Sequence, residues 1–218
     1  MKGIIFDFNG TMVWDVKYQE MAWKSYFKKV TGKNITNKEL EEKFYGVPMR
    51  ISLKEHLFKD SSIDVVDKHA EEKESLYRKA IIEDQNNFKL APGLKNFLDE
   101  LKNENIKMTI ATASIKSNVD FFIKQLNLER WFDVNDIVYD NGQYKDKREM
   151  FLQAAKNIEE SIENIIIFED STAGIRDAKE IGCKNLVAVN LGNDDLKYKN
   201  IDCIQVISDF DQFNRNNI

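Results

Sequence analysis

Six short apolar runs, at residues 3–8, 107–113, 137–139, 164–168, 185–189 and 204–208, punctuate this chain, and most are separated by ten residues or more of helix-period sequence. Hairpin partners are joined by tight turns, whereas parallel strands need a crossover long enough to hold a helix. The spacing therefore predicts an α/β chain with a parallel sheet. The long interval between the first two runs breaks the alternation. Between about residues 16 and 87 apolar side chains recur at helical spacing (Met21, Trp23, Tyr26, Phe27 and Val30, then Leu40 and Phe44, then Leu53 and Leu57), with no strand signal. This stretch predicts an all-helical domain of residues 16–87 inserted into a core made of 1–15 and 88–218. Thr36 with Glu39 makes a capping box, Gly46 followed by Pro48 marks a helix stop, and Leu90-Ala91-Pro92-Gly93 marks the return to the core, ahead of an amphipathic helix through Leu94, Phe97, Leu98 and Leu101.

With 218 residues the chain is long enough for a substantial core, and its net charge of −5 is spread without long runs of one sign. That balance excludes a basic nucleic-acid footprint. Cys183 and Cys203 form no CxxC pair, and nowhere do eighteen apolar residues run together. The chain opens on its first apolar run with no leader-like segment. The expectation is a reduced, cytoplasmic protein that acts as a monomer, without nucleic acid or membrane.

Chemistry is concentrated where the runs end. The first delivers a carboxylate, Asp7, followed at once by the turn Phe8-Asn9-Gly10-Thr11. The second ends in Thr112-Ala113-Ser114, whose hydroxyls suit phosphate oxygens. Lys145 follows an Asn141-Gly142 turn and precedes a helix through Met150, Phe151 and Ala154, with Lys147 and Arg148 beside it. The fourth run ends in Glu169-Asp170 and is followed by Ser171-Thr172-Ala173-Gly174. Ligands of open parallel sheets bind outside the carboxyl ends of the strands, so these four segments converge. His56 and His69, on lysine- and glutamate-rich helices, read as solvated surface, and Trp14, Tyr18 and Trp23 as packing between hinge and helical core.

In order and spacing these segments resemble the motifs of the haloacid dehalogenase superfamily, on its branch of phosphatases and beta-phosphoglucomutase-like proteins. The resemblance implies a Rossmann-like core of strand order 3-2-1-4-5 with a helical cap after the first strand. It also implies a hydrolase of a small phosphorylated metabolite, such as a sugar phosphate, that works through an aspartyl phosphate on Asp7. Carried over by position, Thr112, Ala113, Ser114 and Lys145 bind the phosphoryl group; Lys145 is chosen over its neighbours by a Lys-x-x-x-x-x-Phe spacing that ends at Phe151. Asp7, Glu169, Asp170 and the backbone carbonyl of Asn9 hold Mg²⁺, a hard ion that takes oxygen ligands.

Two departures qualify this reading. The family pattern places a second aspartate, the acid and base, where this chain has Asn9, and an amide does not titrate. The mutase pattern places a histidine and an arginine in the cap where this chain has Gln19 and Met49; Arg50 is one residue away, about 100° around a helix. The alternatives are a beta-phosphoglucomutase-like phosphohexomutase, or a phosphate-binding protein of little turnover.

Overall fold

Strand β1 (Gly3–Phe6) is buried along its whole length and pairs in parallel with β2 (Lys107–Ile115) on one side and β4 (Ile165–Glu169) on the other. A strand covered on both faces needs apolar side chains at every position, which explains why these segments read as continuous runs rather than as alternation. In the computed structural model, which describes residues 3–44, 49–199 and 201–218, the sheet continues outward through β3 (Val138–Asp140), β5 (Asn185–Val189) and β6 (Gln205–Ile207). The order is β3-β2-β1-β4-β5-β6, parallel throughout, so the sixth apolar run extends the expected sheet at its β5 edge.

The two faces of the sheet carry different cores. Successive side chains on a strand point to opposite faces. Ile5 and Ile167 turn to one side, where they pack with Phe151, Ala154 and Ile158 from α7 (Lys147–Asn157) and its turn and with Ile175 and Ala178 of α8 (Thr172–Glu180). Phe6 and Phe168 turn to the other and stack with ring centroids 5.1 Å apart, against Phe97 and Phe210. Phe97 comes from the helix expected after Pro92-Gly93, α5 (Leu94–Asn103), whose buried residues are Leu94, Phe97, Leu98 and Leu101, and α6 (Lys116–Leu126) follows β2. Gly93 is required there: its φ is +73° and a Cβ would lie 2.5 Å from the Asp211 backbone nitrogen.

The chain divides into two compact units, residues 1–14 with 89–218, and residues 15–88. Among the described residues the second is built of α1 (Val16–Thr31), α2 (Asn37–Lys43), α3 (Met49–His56) and α4 (Ile63–Glu83). Thr36 and Glu39 form both halves of the capping box that starts α2. Gly46 and Pro48 lie outside the described residues. Tyr18, Trp23 and Tyr26 of α1 are buried, as are Leu40, Phe44 and Leu53, but Met21 turns to solvent. His69 is not solvated surface: its ring stacks on Phe58 at 3.9 Å between centroids. Lys73, a residue without a distinguishing sequence signal, is wholly buried in this unit. Its ammonium donates to Gln19 Oε1 and, at 3.0 Å, to Glu74 Oε1, and lies 4.9 Å from the Trp23 ring centroid.

Candidate active site

Asp7 sits one residue beyond β1, yet its N–H still donates to Phe168 O at 2.9 Å, so the sheet ladder anchors the backbone that carries the carboxylate. Glu169 ends the adjacent strand and Asp170 follows it. One carboxylate oxygen from each of Asp7, Glu169 and Asp170 lies within 4.8 Å of the others.

Each acid is held separately. Ser171 caps α8 by accepting from Gly174 N at 2.9 Å, and its hydroxyl donates to Glu169 Oε1 at 2.6 Å. Glu169 thereby lies over the first turn of α8, where a negative charge is favoured by the helix dipole. The contact is so close that a Cβ at Gly174 would collide with the Glu169 carboxylate. Gly10 plays the matching part for Asp170: its φ is +79°, and a Cβ there would lie 2.6 Å from Asp170 Cγ. Tyr198, in α9 (Asp195–Tyr198), donates to Asp170 O at 2.6 Å and to Val189 O at 3.0 Å. Lys197 stands 3.6 Å from Asp170 Oδ2.

The lysine that the structure sets against Asp7 is Lys147, and Lys145 is not brought to it. Lys145 points into solvent with its side chain 85 % exposed and a loose 3.9 Å approach to Glu149. Lys147, 15 % exposed, donates to Asp7 Oδ1, to Glu169 Oε2 at 3.1 Å and to Ala111 O at 3.2 Å. The reason is the start of α7. Asp146 is its N-cap and accepts from Arg148 N and Glu149 N, so Lys147 becomes the first helical residue and falls on the face of Phe151, one turn on, with its ammonium 5.3 Å from that ring's centroid. Lys145 precedes the cap and is on no helix face. The signal was present in the sequence: Asp146 followed by Glu149 is a helix start, and Lys147, Phe151 and Ala154 share one face.

Thr112, Ala113 and Ser114 lie where β2 loses register with β3, between Thr112 and Ile115. Simple alternation, which would give Thr112 and Ser114 equivalent directions, does not survive this irregularity. Thr112 is buried and its hydroxyl oxygen accepts from Ser114 N at 3.2 Å, Ala113 is exposed, and Ser114 Oγ donates to Asn9 Oδ1 at 2.7 Å. The 112–114 segment is thus tied to the Asp7 turn. Trp14 is half exposed, its ring lying over Gly192 so closely that a Cβ there would stand 2.6 Å from Trp14 Cη2.

Burial pushes the Asp7 carboxyl well above its usual range, and repulsion from Glu169 and Asp170 adds to this against the pull of Lys147. Burial acts to lower the Lys147 ammonium, but Asp7 and Glu169 outweigh it and drive it upward, so Lys147 stays charged. Three carboxylates, two of them set against the Lys147 ammonium and the third approached by Lys197, make the cluster rich in acids. An oxygen-rich cluster fits a hard divalent cation.

The chain matches the family profile described as haloacid dehalogenase-like hydrolase over residues 4–188. It is 26% identical over 198 residues to a phosphorylated carbohydrates phosphatase of Thermotoga maritima, covering 87% of this chain and 85% of that one. To a beta-phosphoglucomutase of Bacillus subtilis it is 28% identical over 200 residues, covering 88% of this chain and 84% of that one. Among solved structures it is similar to a family IA, variant 3 hydrolase of Entamoeba histolytica, with a TM-score of 0.89, 30% identity, and coverage of 100% of this chain and 97% of that one. With the profile spanning most of its length and three acids gathered from the carboxyl ends of two neighbouring strands, the chain belongs to the haloacid dehalogenase-like hydrolases.

Proposed function

We propose that this chain is a Mg²⁺-dependent phosphatase of a small phosphorylated metabolite, with Asp7 as the nucleophile. The observation that carries the reading is the convergence of Asp7, Glu169 and Asp170 within 4.8 Å, with the Lys147 ammonium set against two of them. An aspartate and a phosphomonoester repel each other, so attack requires positive charge beside both. Asp7, Glu169, Asp170 and the Asn9 carbonyl would hold the metal. Once bound, Mg²⁺ supplies a Lewis acid that draws charge from the phosphoryl oxygens. Lys147 orients the Asp7 carboxylate and would meet the transferring group, and the Thr112 and Ser114 hydroxyls are the candidates to bind its oxygens. The phosphatase of Thermotoga maritima named for phosphorylated carbohydrates supports a substrate of that size and charge.

The mutase reading gains little support from the helical unit. Gln19 accepts from Lys73 and donates to Asp15 Oδ2 at 3.3 Å, Met49 packs against that unit's core, and Arg50 pairs with Asp67. The test is phosphate release from an aryl phosphate with Mg²⁺ and with chelator, for the native chain and Asp7→Asn. Metal-dependent release that vanishes in the variant is expected; undiminished release by Asp7→Asn refutes the reading.

A further inference from the structure

The position two residues after Asp7 decides which phosphoryl donors this site can use. Asn9 carries no titratable proton, and its amide oxygen is engaged by the Ser114 hydroxyl at 2.7 Å. The amide nitrogen, on the other branch, can only donate a hydrogen bond; it can neither release a proton nor accept one. Among the described residues, two proton donors near the acids are already engaged. The Lys147 ammonium has its three protons directed at Asp7, Glu169 and Ala111 O. The Tyr198 phenol donates to Asp170 O and Val189 O. Both histidines of the chain, His56 and His69, belong to the helical unit, so the core has none.

A leaving oxygen must therefore depart without a proton. For an alkoxide this is a heavy penalty, because an aliphatic hydroxyl is an acid nearly as weak as water. A phenol, with a pKa of about 10, and a carboxylic acid, with one of about 4, leave readily as anions. Water attacking the phosphorylated Asp7 faces the converse difficulty, since Asn9 cannot take its proton and the neighbouring Glu169 and Asp170 carboxylates are the ones that would hold the metal.

Building on the phosphatase reading above, we propose that the Asn9–Ser114 pair makes this site selective for donors with stable anionic leaving groups, acyl phosphates foremost, and makes phosphorylated Asp7 long-lived. In the first step an Asp7 carboxylate oxygen bonds to phosphorus, the bond from phosphorus to the acyl oxygen breaks, and its electron pair leaves on the carboxylate with no proton moved. In the second, water oxygen bonds to phosphorus, the bond to Asp7 breaks and restores its carboxylate, and the surplus proton passes to solvent. The second step limits turnover.

Acetyl phosphate and a hexose phosphate, each with Mg²⁺, test this with the full chain, Asn9→Asp and Asp7→Asn. In the native chain acetyl phosphate is expected to give a burst of acetate near one per chain. The burst should be matched by a hydroxylamine-labile phosphoryl group in the intact mass, absent from Asp7→Asn. The same spectrum verifies that residue 9 is still an amide. Asn9→Asp is expected to raise hexose phosphate turnover about 10²–10⁴-fold, the usual worth of a positioned acid or base, and to abolish the build-up. Steady acetyl phosphate turnover without a phosphorylated chain overturns the proposal, as does hexose phosphate turnover equal in the native chain and Asn9→Asp; either leaves the phosphatase reading intact. Failure of both the native chain and Asn9→Asp to release phosphate from an aryl, acyl or sugar donor defeats the phosphatase reading itself, and this proposal with it.

Discussion

Replacing Lys147 by methionine, with Lys145→Met as its control, separates the two candidate lysines by stability alone. Lys147 Nζ is buried among Asp7, Glu169 and Ala111 O. Removing one partner of a buried ion pair costs about 3–5 kcal/mol, because the remaining charge is left without compensation. Here two carboxylates lose their ammonium while a third, Asp170, stays within 4.8 Å. The Lys147→Met variant should therefore lose about 3–5 kcal/mol in urea unfolding above neutral pH. Lys145→Met removes only an exposed 3.9 Å approach to Glu149 and should change stability by less than about 0.5 kcal/mol. The loss has a definite pH signature. Without the pull of Lys147 the Asp7 carboxyl takes up a proton more readily in the folded state, so its repulsion from Glu169 and Asp170 is relieved as pH falls, and the gap between variant and native chain should narrow toward pH 5. Saturating Mg²⁺ should restore part of the loss, since a ligand of the folded state stabilises it in proportion to its occupancy. Equal costs for the two substitutions, or a Lys147→Met penalty that grows on acidification, would refute the reasoning.

Asp7→Asn should stabilise the metal-free chain at neutral pH even as it removes the nucleophile. Burial and Glu169 hold the Asp7 carboxyl above its usual range; the fold thus binds its proton more tightly than the unfolded chain does. Ionisation then penalises the folded state as pH rises from the unfolded pKa through the folded one. The gain in melting temperature should appear above the usual carboxylate range and fade at acid pH, where both forms are neutral. Gly10→Ala forces a non-glycine residue to a φ of +79° and drives a methyl into the Asp170 carboxylate. It should cost about 1–2 kcal/mol from the backbone alone and weaken Mg²⁺ binding measured by calorimetry, a loss that backbone strain confined to the turn would not produce. Thr36→Ala deletes one half of the α2 capping box and should cost about 1 kcal/mol in thermal unfolding, with no change in metal affinity.

Most of the sheet was legible because its signals are local. Apolar runs at 164–168 and 185–189 became β4 and β5 with bounds shifted by a residue or less, since a doubly covered strand leaves polar side chains nowhere to go. Asp7 and the Glu169-Asp170 pair were legible for the same reason: the first lies at the end of such a run and the second follows directly on one. Lys73 was not, because a lysine on a charged helix gives no sign of burial until Trp23, Tyr77 and Glu74 surround it. His69 was misplaced likewise, since stacking on Phe58 depends on how separate helices meet.

By itself, the sequence determined a parallel α/β core, a helical stretch between its first two strands, and acids at the ends of β1 and β4, for these follow from the periodicity of neighbouring residues. Tertiary structure decided which lysine meets Asp7 and how Asn9 is oriented. Lys145 and Lys147 are chemically alike and two residues apart; only the Asp146 cap, which fixes where α7 begins, turns one toward Asp7 and leaves the other in water. Asn9 and Ser114 lie far apart along the chain and meet only because β1 and β2 are neighbours in the sheet. A side chain's direction at a site is set by the register of distant segments, and register is a property of the assembled core.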